Sequence, residues 1–534
     1  MTTGDLQKTE DLQWYDLFNL RGTRRDFLRV GRSVAGLVAL GALPACERGR
    51  RIRVFSDPFM FGVASGDPVP RGVVLWTRLA RTALDGAGAL LDPVTVDWEI
   101  AEDEAFTRMV QSGSAVALPE LGHSVHVEVD GLEPGRDYFY RMITGGEASP
   151  VGRTKTAPPS DTPLDEFRFA FASCQHYEQG FFTALRHLSN EDLDLIVHLG
   201  DYIYEGRPID GRVRRHEGPE IMTLDDYRAR YITYRSDPDL QAAHQAAPWV
   251  VTWDDHEVDN DYAAEISEDR ASPESFLLRR AAAYQTFYEF MPLRRASMPT
   301  GPDMQLYRRL RFGDLIEMNV LDTRQYRSPQ PCGGGGNRPT CAAHVSDGQT
   351  ILGPEQRRWL FEGLAASEAR WNVLAQQVML ARLRRVDDEG VETWSMDKWD
   401  GYPRERQALL DLMAEEGTPN PVVLTGDIHS NWVNNLQRDF DEESSDIVGT
   451  EFVCTSLTSG GNGREMTNGG RRSMRDNPHV RFYNGQRGYV TATVTPDLWT
   501  ARYRVVPEVT RPGGTVHTAA TFVVENGRAG AQEA

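Results

Sequence analysis

The residues of this chain that could perform chemistry follow a series of short apolar runs, at the points where buried strands are expected to end. Each run is followed by side chains that can bind a metal ion or transfer a proton. These residues are Cys174, Asp201 with Tyr204, Asp255 with His256, Asp322 with Arg324, Gln376 with Gln377, and Asp427 with His429. One such motif alone would indicate only a turn or a structural histidine. A cluster of unpaired carboxylates is electrostatically costly, and a bound metal ion offsets that cost. The shared placement of these residues at the strand ends therefore favours a metal site.

The candidate ligands divide into two groups by their chemistry. A thiolate, a phenolate and an imidazole suit a transition metal, and their negative charges would stabilise Fe3+ in particular. These three ligands are Cys174, Tyr204 and His429. Asp255 and Asp427 offer only hard oxygen atoms, which suit Ca2+, and Asp201 could bridge both groups. The sequence leaves open the alternatives that the thiol is a small buried apolar group and the phenol a packed aromatic ring.

The elements that must position these residues have the pattern of an α/β fold. Apolar strands such as LDLIVHLGD, APWVVTWDDHE and NPVVLTGDIH alternate with helical stretches such as PEQRRWLFEGLAAS and RERQALLDLMAEE. In sheets of this class the ligand site usually forms beyond the carboxyl ends of the strands. We therefore expect the polar residues to meet at one edge of a sheet.

The part of the chain that precedes these strands has a different pattern. From Phe59 to about Pro158, short runs alternate apolar and polar residues and are separated by turns rich in glycine and proline. This pattern is typical of a β-sandwich, and its length fits one fibronectin-like or immunoglobulin-like domain. The segment TAPPSDTP then forms a plausible linker.

The first fifty residues have the features of an export signal. Arg24 and Arg25 precede an apolar stretch from Ser33 to Ala45, which is shorter than the roughly 20 residues needed to span a bilayer. A twin arginine before such a stretch indicates a Tat signal, and the alternative is a basic helix start before a buried helix. Cys46 ends a sequence that resembles a lipobox and is a candidate for a lipid anchor.

Charge and cysteine content narrow the possible environments and partners. The 534 residues carry a formal net charge of −20, which argues against nucleic acid as a specific partner because such a surface must be basic. Cys332 and Cys341 flank a glycine-rich loop, and in an oxidising compartment this spacing predicts a disulfide. Cys454 lies in an apolar run and is expected to be a buried thiol.

The order of motifs along the chain resembles PhoD-type alkaline phosphatases and phosphodiesterases of the metallophosphoesterase superfamily. The matching motifs are GVASGDP, FASC, HLGDYIYE, WDDHEVDND, LDTRQYR, WDGYP and GDIHSNW. The general superfamily pattern has D-x-H, GNH[DE] and GHxH. This chain departs from it with Cys174 at the first position, Asp255 in place of asparagine and Asp427 in place of the first histidine of the last pair. These departures are shared with the PhoD type.

The resemblance implies a fold and a domain order. It implies a Tat signal over residues 1–50, an N-terminal β-sandwich domain over 51–158, and a catalytic domain over 159–534 in which a metallophosphoesterase β-sandwich is flanked by helices. It also implies Fe3+ and Ca2+ as cofactors. We expect an exported protein, periplasmic or secreted, without a stable membrane span and with a monomeric state.

The resemblance also implies an activity, the hydrolysis of phosphate monoesters or diesters. Two cations lower the pKa of bound water and so supply hydroxide. His256 is placed to donate a hydrogen bond to the phosphate or a proton to the leaving oxygen, unless it is a structural histidine. The planar guanidinium of Arg324 either donates hydrogen bonds to phosphate oxygens or belongs to a structural ion pair. Gln376 or Gln377 could add a contact to calcium or substrate.

Two other classes of function remain as alternatives. One is a calcium-dependent binding protein of the cell surface whose phosphatase-like domain is inactive. The other is a redox or oxygen-activating iron enzyme, which usually has two histidines and one carboxylate around an open iron site. The thiolate and phenolate fit that second alternative poorly.

Overall fold

The computed structural model of the chain describes residues 56–80, 92–387, 389–415 and 417–534. The predicted Tat signal and Cys46 lie outside these residues. Among the described residues, no helix combines the length and apolarity needed to cross a membrane. The pairing of Cys332 with Cys341 is confirmed as a disulfide, with the two Cα atoms 5.7 Å apart, and Cys454 is confirmed as a buried free thiol.

Two large sheets form the centre of the molecule. The strands of the first sheet are β1 (Val63–Val69), β2 (Gly72–Arg78), β5 (Ser124–Asp130), β9 (Phe167–Ala172), β10 (Leu195–Leu199), β11 (Trp249–Thr252), β22 (Arg487–Val494), β23 (Leu498–Val506), β24 (His517–Glu525) and β25 (Arg528–Glu533). Those of the second are β12 (Arg308–Phe312), β13 (Ile316–Val320), β15 (Trp371–Ala375), β18 (Pro421–Thr425), β19 (Asn431–Gln437), β20 (Ile447–Val453) and β21 (Val480–Asn484). The ten strands of the first sheet lie in the order β25-β24-β23-β22-β9-β10-β11-β1-β2-β5, and the seven of the second lie in the order β12-β13-β15-β18-β20-β19-β21.

The alternation of side chains along the strands builds the layers. In β9, Phe169 and Phe171 pack with Met318 and Val373 of the second sheet, so the two sheets share one core. Ala170, which lies between them in sequence, packs on the opposite face against a cluster that includes helical residues. Because successive side chains of a strand point to opposite faces, one strand serves both layers. The α/β class is thereby confirmed.

Helices cover the outer faces of both sheets. Those whose residues pack on the ten-stranded sheet are α1 (Thr183–Leu188), α2 (Leu224–Arg235), α3 (Pro238–Ala246) and α4 (Pro273–Phe290). Those that pack on the seven-stranded sheet are α5 (Gly353–Ala365) and α6 (Pro403–Glu415), and α7 (Asn468–Asp476) lies near its β21 edge. Several begin with polar caps; for example, the Thr223 side chain and Asp226 form a capping box at the start of α2.

Two smaller sheets complete the described part of the chain. Five strands form a sheet in the order β4-β3-β6-β7, with β8 also paired to β6; they are β3 (Val94–Ala101), β4 (Met109–Ala117), β6 (Asp137–Thr144), β7 (Glu147–Ala148) and β8 (Gly152–Lys155). The other is a short ribbon of β14 (Asn337–Arg338), β17 (Glu392–Ser395) and β16 (Arg385–Val386). The five-stranded sheet packs on β1, β2 and β5 through a common apolar core that includes Val73, Val96 and Tyr140.

The N-terminal strands are also joined to the central sheet, which the sequence did not indicate. β1 pairs in parallel with β11 through Gly66 and Trp249. A Cβ atom at Gly66 would lie 2.5 Å from the carbonyl oxygen of Pro292 and 2.7 Å from that of Trp249, so only glycine allows this approach. One sheet of the N-terminal sandwich is therefore continuous with the ten-stranded sheet, while the domain boundary at residue 158 stays a prediction.

Candidate metal centre

The predicted site residues follow strands that run in parallel. β9, β10 and β11 are parallel neighbours in one sheet, and β13, β15 and β18 are parallel neighbours in the other. Their carboxyl ends therefore lie at one edge of each sheet. The loop after β9 is tied to the loop after β10, because the backbone N–H of Cys174 donates to the carbonyl of Gly200 at 3.1 Å. The prediction that these loops meet is confirmed for the residues described below.

Four of the predicted ligands come together in the first half of the site. The Tyr204 hydroxyl donates to Oδ2 of Asp201 at 2.7 Å and lies 3.3 Å from Nε2 of His429. Ligand atoms of Cys174, Asp201 and His429 all lie within 4.8 Å of one another. A thiol, a carboxylate, a phenol and an imidazole thus surround one point, as the transition-metal group of the sequence requires.

The backbone at the predicted ligands adopts a conformation that is rare outside glycine. The φ angles are 61° at Cys174, 58° at Asp201, 60° at Asp427 and 56° at His429. Left-handed conformations cost free energy in such residues and cluster at functional sites, where the surrounding structure enforces them. Four of the predicted ligands therefore share a backbone conformation that is uncommon for residues other than glycine.

The first half of the site combines buried acidic groups with an unsatisfied carboxylate oxygen. Oδ1 of Asp201 is buried without a hydrogen-bond partner among the described residues. Burial, followed by the charge of Asp201, raises the pKa of the Cys174 thiol well above its usual range. The same two causes, in the same order, raise the pKa of Tyr204. A bound cation would satisfy Oδ1 of Asp201 and favour the thiolate and phenolate forms, so the donor set fits a metal ion.

The second half of the site is made of carboxylates around Asp255. Ligand atoms of Asp201, Asp255 and His256 form one close group, and those of Asp255, Asp261 and Asp397 form another. Oδ2 of Asp255 accepts the backbone N–H of Asp261 at 2.8 Å. Asp427 belongs to neither group among the described residues; its Oδ2 contacts Nζ of Lys398 instead. Oxygen ligands from three aspartates fit a hard cation.

His256 lies between the two halves. Its Nδ1 is 2.7 Å from Oε2 of Glu205, and its ring packs on that of Tyr204 with centroids 4.1 Å apart. Burial disfavours the charged ring, but the carboxylates of Glu205, Asp201 and Asp255 outweigh it and raise the pKa of His256 well above the ordinary value. The imidazole is thus held in place beside the candidate ligands as a proton or hydrogen-bond donor.

Arg324 is fully buried behind the ligands. Its Nε donates to Asp254 at 2.5 Å, its Nη1 donates to Asp397 at 2.8 Å, and its Nη2 lies 3.5 Å from Asp255. Neither the guanidinium nor the Asp254 side chain has more than 1% of its surface exposed. Of the two roles that the sequence leaves open, these contacts correspond to the structural ion pair.

Known protein families and a characterised relative match this chain over most of its length. The model of the PhoD-like phosphatase family matches residues 169–503, and that of the PhoD-like phosphatase N-terminal domain matches residues 45–158. Alkaline phosphatase D of Bacillus subtilis (strain 168) is 50% identical over 517 residues, which cover 95% of this chain and 88% of that protein. This chain belongs to the PhoD-like phosphatase family.

One solved structure agrees with this assignment over most of the chain. The structure of PhoD superposes with a TM-score of 0.87 and 51% identity, and the match covers 90% of this chain and 92% of that one. GAP50, the anchor in the inner membrane complex of Plasmodium, matches at a TM-score of only 0.35 with 11% identity, so it carries no argument. The prediction that the chain is a phosphoric ester hydrolase is confirmed, and none of these comparisons supports the alternative of an inactive calcium-binding protein.

In this PhoD-like phosphatase, the remaining polar residues at the strand ends have structural contacts. Asp322 accepts the backbone N–H groups of Arg324 and Gln325 and forms a turn. The amide of Gln376 donates to Thr425 and to the carbonyl of Val378. Gln377 bridges the loops of both sheets, since it accepts from Thr323 and donates to Thr252. The two glutamines are buried and have protein partners on both the oxygen and the nitrogen side.

The sequence analysis missed several residues of the site. Glu205 and Asp254 stand inside the quoted motifs HLGDYIYE and WDDHE, so their positions next to a predicted ligand were the available signal. Ser459 donates to the Tyr204 hydroxyl at 2.7 Å but lies in a loop without a distinctive motif. Asp397 and Lys398 precede the short 3-10 turn Trp399–Gly401 rather than follow a long strand, and the strand-end pattern could not identify them.

Proposed function

We propose that this enzyme hydrolyses phosphate monoesters or diesters at the strand-end site, in a metallophosphoesterase fold that uses water as the nucleophile. The observation that carries the proposal is the convergence of Cys174, Asp201, Tyr204 and His429 around one point, beside the carboxylates around Asp255. Such a mixed set of soft and hard ligands has no evident structural purpose, because it concentrates several acidic groups in buried positions and leaves Oδ1 of Asp201 without a hydrogen-bond partner among the described residues.

The two halves of the site suit different ions. Cys174, Asp201, Tyr204 and His429 would hold Fe3+, since a thiolate and a phenolate stabilise a trivalent ion. Asp255 and Asp427 would hold Ca2+, with Asp201 between the halves, and Asp261 and Asp397 offer further oxygen atoms near Asp255. When bound, these cations lower the pKa of water and neutralise the oxygens of an anionic ester.

The protein's own groups then have separate tasks. His256 donates a hydrogen bond to the phosphoryl group or a proton to the leaving oxygen, and Glu205 fixes the ring for that purpose through Nδ1. Arg324 orients Asp255 from behind through a buried ion pair. Arg487 fixes the backbone at His429 by donating from Nη1 to its carbonyl oxygen at 2.6 Å.

The first fifty residues indicate how the enzyme is exported. We propose that the twin arginine at Arg24 and Arg25 directs the chain to the Tat machinery, which carries folded proteins and so suits a metal loaded before export. The mature enzyme would then act as a monomer in the periplasm or outside the cell, with Cys46 as a candidate for a lipid anchor. The division into residues 51–158 and 159–534 belongs to the same proposal.

Metal analysis combined with an ester assay tests the proposed function. The purified exported enzyme should contain iron and calcium and should hydrolyse p-nitrophenyl phosphate, bis(p-nitrophenyl) phosphate or both. Removal of the metals should abolish turnover, and their return should restore it. An enzyme that hydrolyses these esters at full rate with neither metal bound would contradict the proposal.

A further inference from the structure

Lysine is almost absent from this chain. Of its 58 lysines and arginines only three are lysines, at positions 8, 155 and 398. Buried ion pairs accordingly use arginine, as in Arg78 with Glu289 and Arg327 with Asp397. Arginine offers a planar fork that stays in one geometry, whereas lysine offers a compact charge on a flexible stem. A nearly buried lysine beside the candidate metal ligands therefore requires a reason.

Lys398 lies at the edge of the strand-end site. Its Nζ contacts Oδ2 of Asp427, a predicted calcium ligand, and 14% of its side chain is exposed. The residue directly precedes the 3-10 turn Trp399–Gly401, and its side chain makes no capping hydrogen bond to that turn. The ammonium group therefore contacts a predicted ligand and does not cap the turn that follows it.

The backbone on both sides of Lys398 is fixed. Oδ1 of Asp397 accepts from Arg327 at 2.6 Å and from Arg324 at 2.8 Å. On the other side, Nε1 of Trp399 donates to the side chain of Gln376 at 3.1 Å. The base of the lysine is thus anchored, and the ammonium is carried on a stem with four rotatable carbons.

Arg324, the residue that the sequence offered as a phosphate clamp, is poorly placed to bind substrate. Its side chain has no exposed surface, and three carboxylates surround its guanidinium group. Contact with a substrate would require breaking buried ion pairs and leaving their acids unbalanced, which is strongly unfavourable. Any side-chain cation that binds the ester in addition to His256 is therefore a residue other than Arg324.

We propose that Lys398 is a catalytic residue whose ammonium binds a non-bridging oxygen of the substrate's phosphoryl group. This inference rests on the proposed function of the strand-end site. The contact with Asp427 keeps the ammonium at the site. The positive charge then faces oxygens whose negative charge must be stabilised during phosphoryl transfer.

Lys398→Met tests this role, because methionine retains much of the stem and removes the charge. Lys155→Met is a matched control, since Lys155 pairs with Asp194 at 2.5 Å on the partly exposed strand β8. We expect Lys398→Met to lower kcat/KM for p-nitrophenyl phosphate by about 100-fold or more. Inhibition by inorganic phosphate should weaken by roughly tenfold, as expected for a lost charged contact. Iron, calcium and Tm should stay at wild-type values, and the control should behave as wild type.

Three results would overturn the inference. The first is a Lys398→Met enzyme with kcat/KM and phosphate inhibition like those of wild type. The second is a loss of calcium with unchanged phosphate affinity in the metal-loaded fraction, which would make Lys398 a support for Asp427 only. If Lys398→Met fails to fold, Lys398→Gln is used in its place. The third contradicting result is then a Lys398→Gln enzyme that phosphate inhibits as strongly as it inhibits wild type.

Failure of the proposed function would look different. A wild-type enzyme that hydrolyses no phosphoester would refute the proposed function. Calorimetry of phosphate binding to wild type and to the Lys398 variant would still decide the role of Lys398.

Discussion

Nδ1 of His256 lies 2.7 Å from Oε2 of Glu205, and the other oxygen of this carboxylate accepts the backbone N–H of Asn260 at 2.8 Å. Glu205 therefore joins the loop after β10 to the loop after β11 and fixes one nitrogen of the imidazole. This leaves Nε2 as the ring atom available to a substrate. The relationship explains how His256 can be oriented without being a metal ligand itself.

Glu205→Gln should weaken catalysis more than substrate binding. The amide keeps the size of the side chain but loses the charge that orients the imidazolium, so kcat should fall by about 10- to 100-fold, the range typical of groups that orient a site residue. KM and iron content should change little. Glu220→Gln is the control, because Glu220 pairs with Arg279 and is 42% exposed. A Glu205→Gln enzyme with the kcat of the control would contradict this role.

Removal of calcium should abolish turnover while leaving the fold largely intact. The carboxylates near Asp255 lie in loops beyond the strand ends, whereas the apolar core between the sheets does not involve them. Prolonged treatment with EGTA should therefore eliminate hydrolysis and leave the far-ultraviolet circular dichroism spectrum nearly unchanged, and added calcium should restore activity. Full turnover with calcium confirmed absent would show that the second half of the site is not a calcium site.

The fold should lose stability in mild acid through His126 of β5, which is not a residue of the candidate metal centre. Burial lowers the pKa of His126 to about 4, and its Nε2 lies 2.9 Å from the carbonyl oxygen of Tyr288. The ring is neutral in the folded chain and has an ordinary pKa near 6.5 when the chain is unfolded. Its contribution to the free energy of unfolding is therefore complete above about pH 6.5 and is lost as the pH falls toward 4. For this half-buried ring the loss of free energy of unfolding should not exceed about 2 kcal/mol.

Denaturant unfolding between pH 4 and pH 7 measures this contribution. His126→Gln keeps a polar atom near the position of Nε2 but does not titrate, so its free energy of unfolding should fall less steeply with acid than that of wild type. His517→Gln, at an exposed position in β24, should retain the wild-type slope. Equal slopes for wild type and His126→Gln would contradict the prediction.

The sequence could predict those parts of the site that a local pattern controls. Asp201, Asp255 and His429 each follow a short apolar strand, and parallel strands bring such residues to one edge of a sheet. Lys398 and Asp397 could not be found in this way, because their position depends on how the segment before α6 folds back over the site. The partner of a strand is also non-local: the alternation in β1 indicates a strand but not its pairing with β11.

The positive φ angles at the predicted ligands were likewise invisible in the sequence. Glycine often marks a left-handed position, as at Gly200 with φ of 102°. Cys174, Asp427 and His429 adopt positive φ angles without that signal, because the surrounding loops enforce the conformation. The role of Arg324 was undecided for a similar reason, since its type fits both a clamp and an ion pair and only its burial distinguishes them.

Cys174→Ser compared with Cys454→Ser tests the central claim most directly. Both thiols are buried, and both lie near Oγ of Ser173, at 3.1 Å and 3.5 Å respectively. Serine is nearly isosteric with cysteine, but its hydroxyl is far less acidic and is a poor anionic ligand. Cys454→Ser should therefore lose only stability, by about 1–3 kcal/mol for a buried hydroxyl.

The measurement is the iron content per folded molecule, taken together with the rate of phosphoester hydrolysis and Tm. We predict that Cys174→Ser loses iron and activity together, and that Cys454→Ser keeps both in its folded fraction. An absorption band from thiolate or phenolate bound to iron should shift or vanish only in Cys174→Ser. A Cys174→Ser enzyme with full iron content and full activity would remove Cys174 from the site and contradict the two-half metal centre.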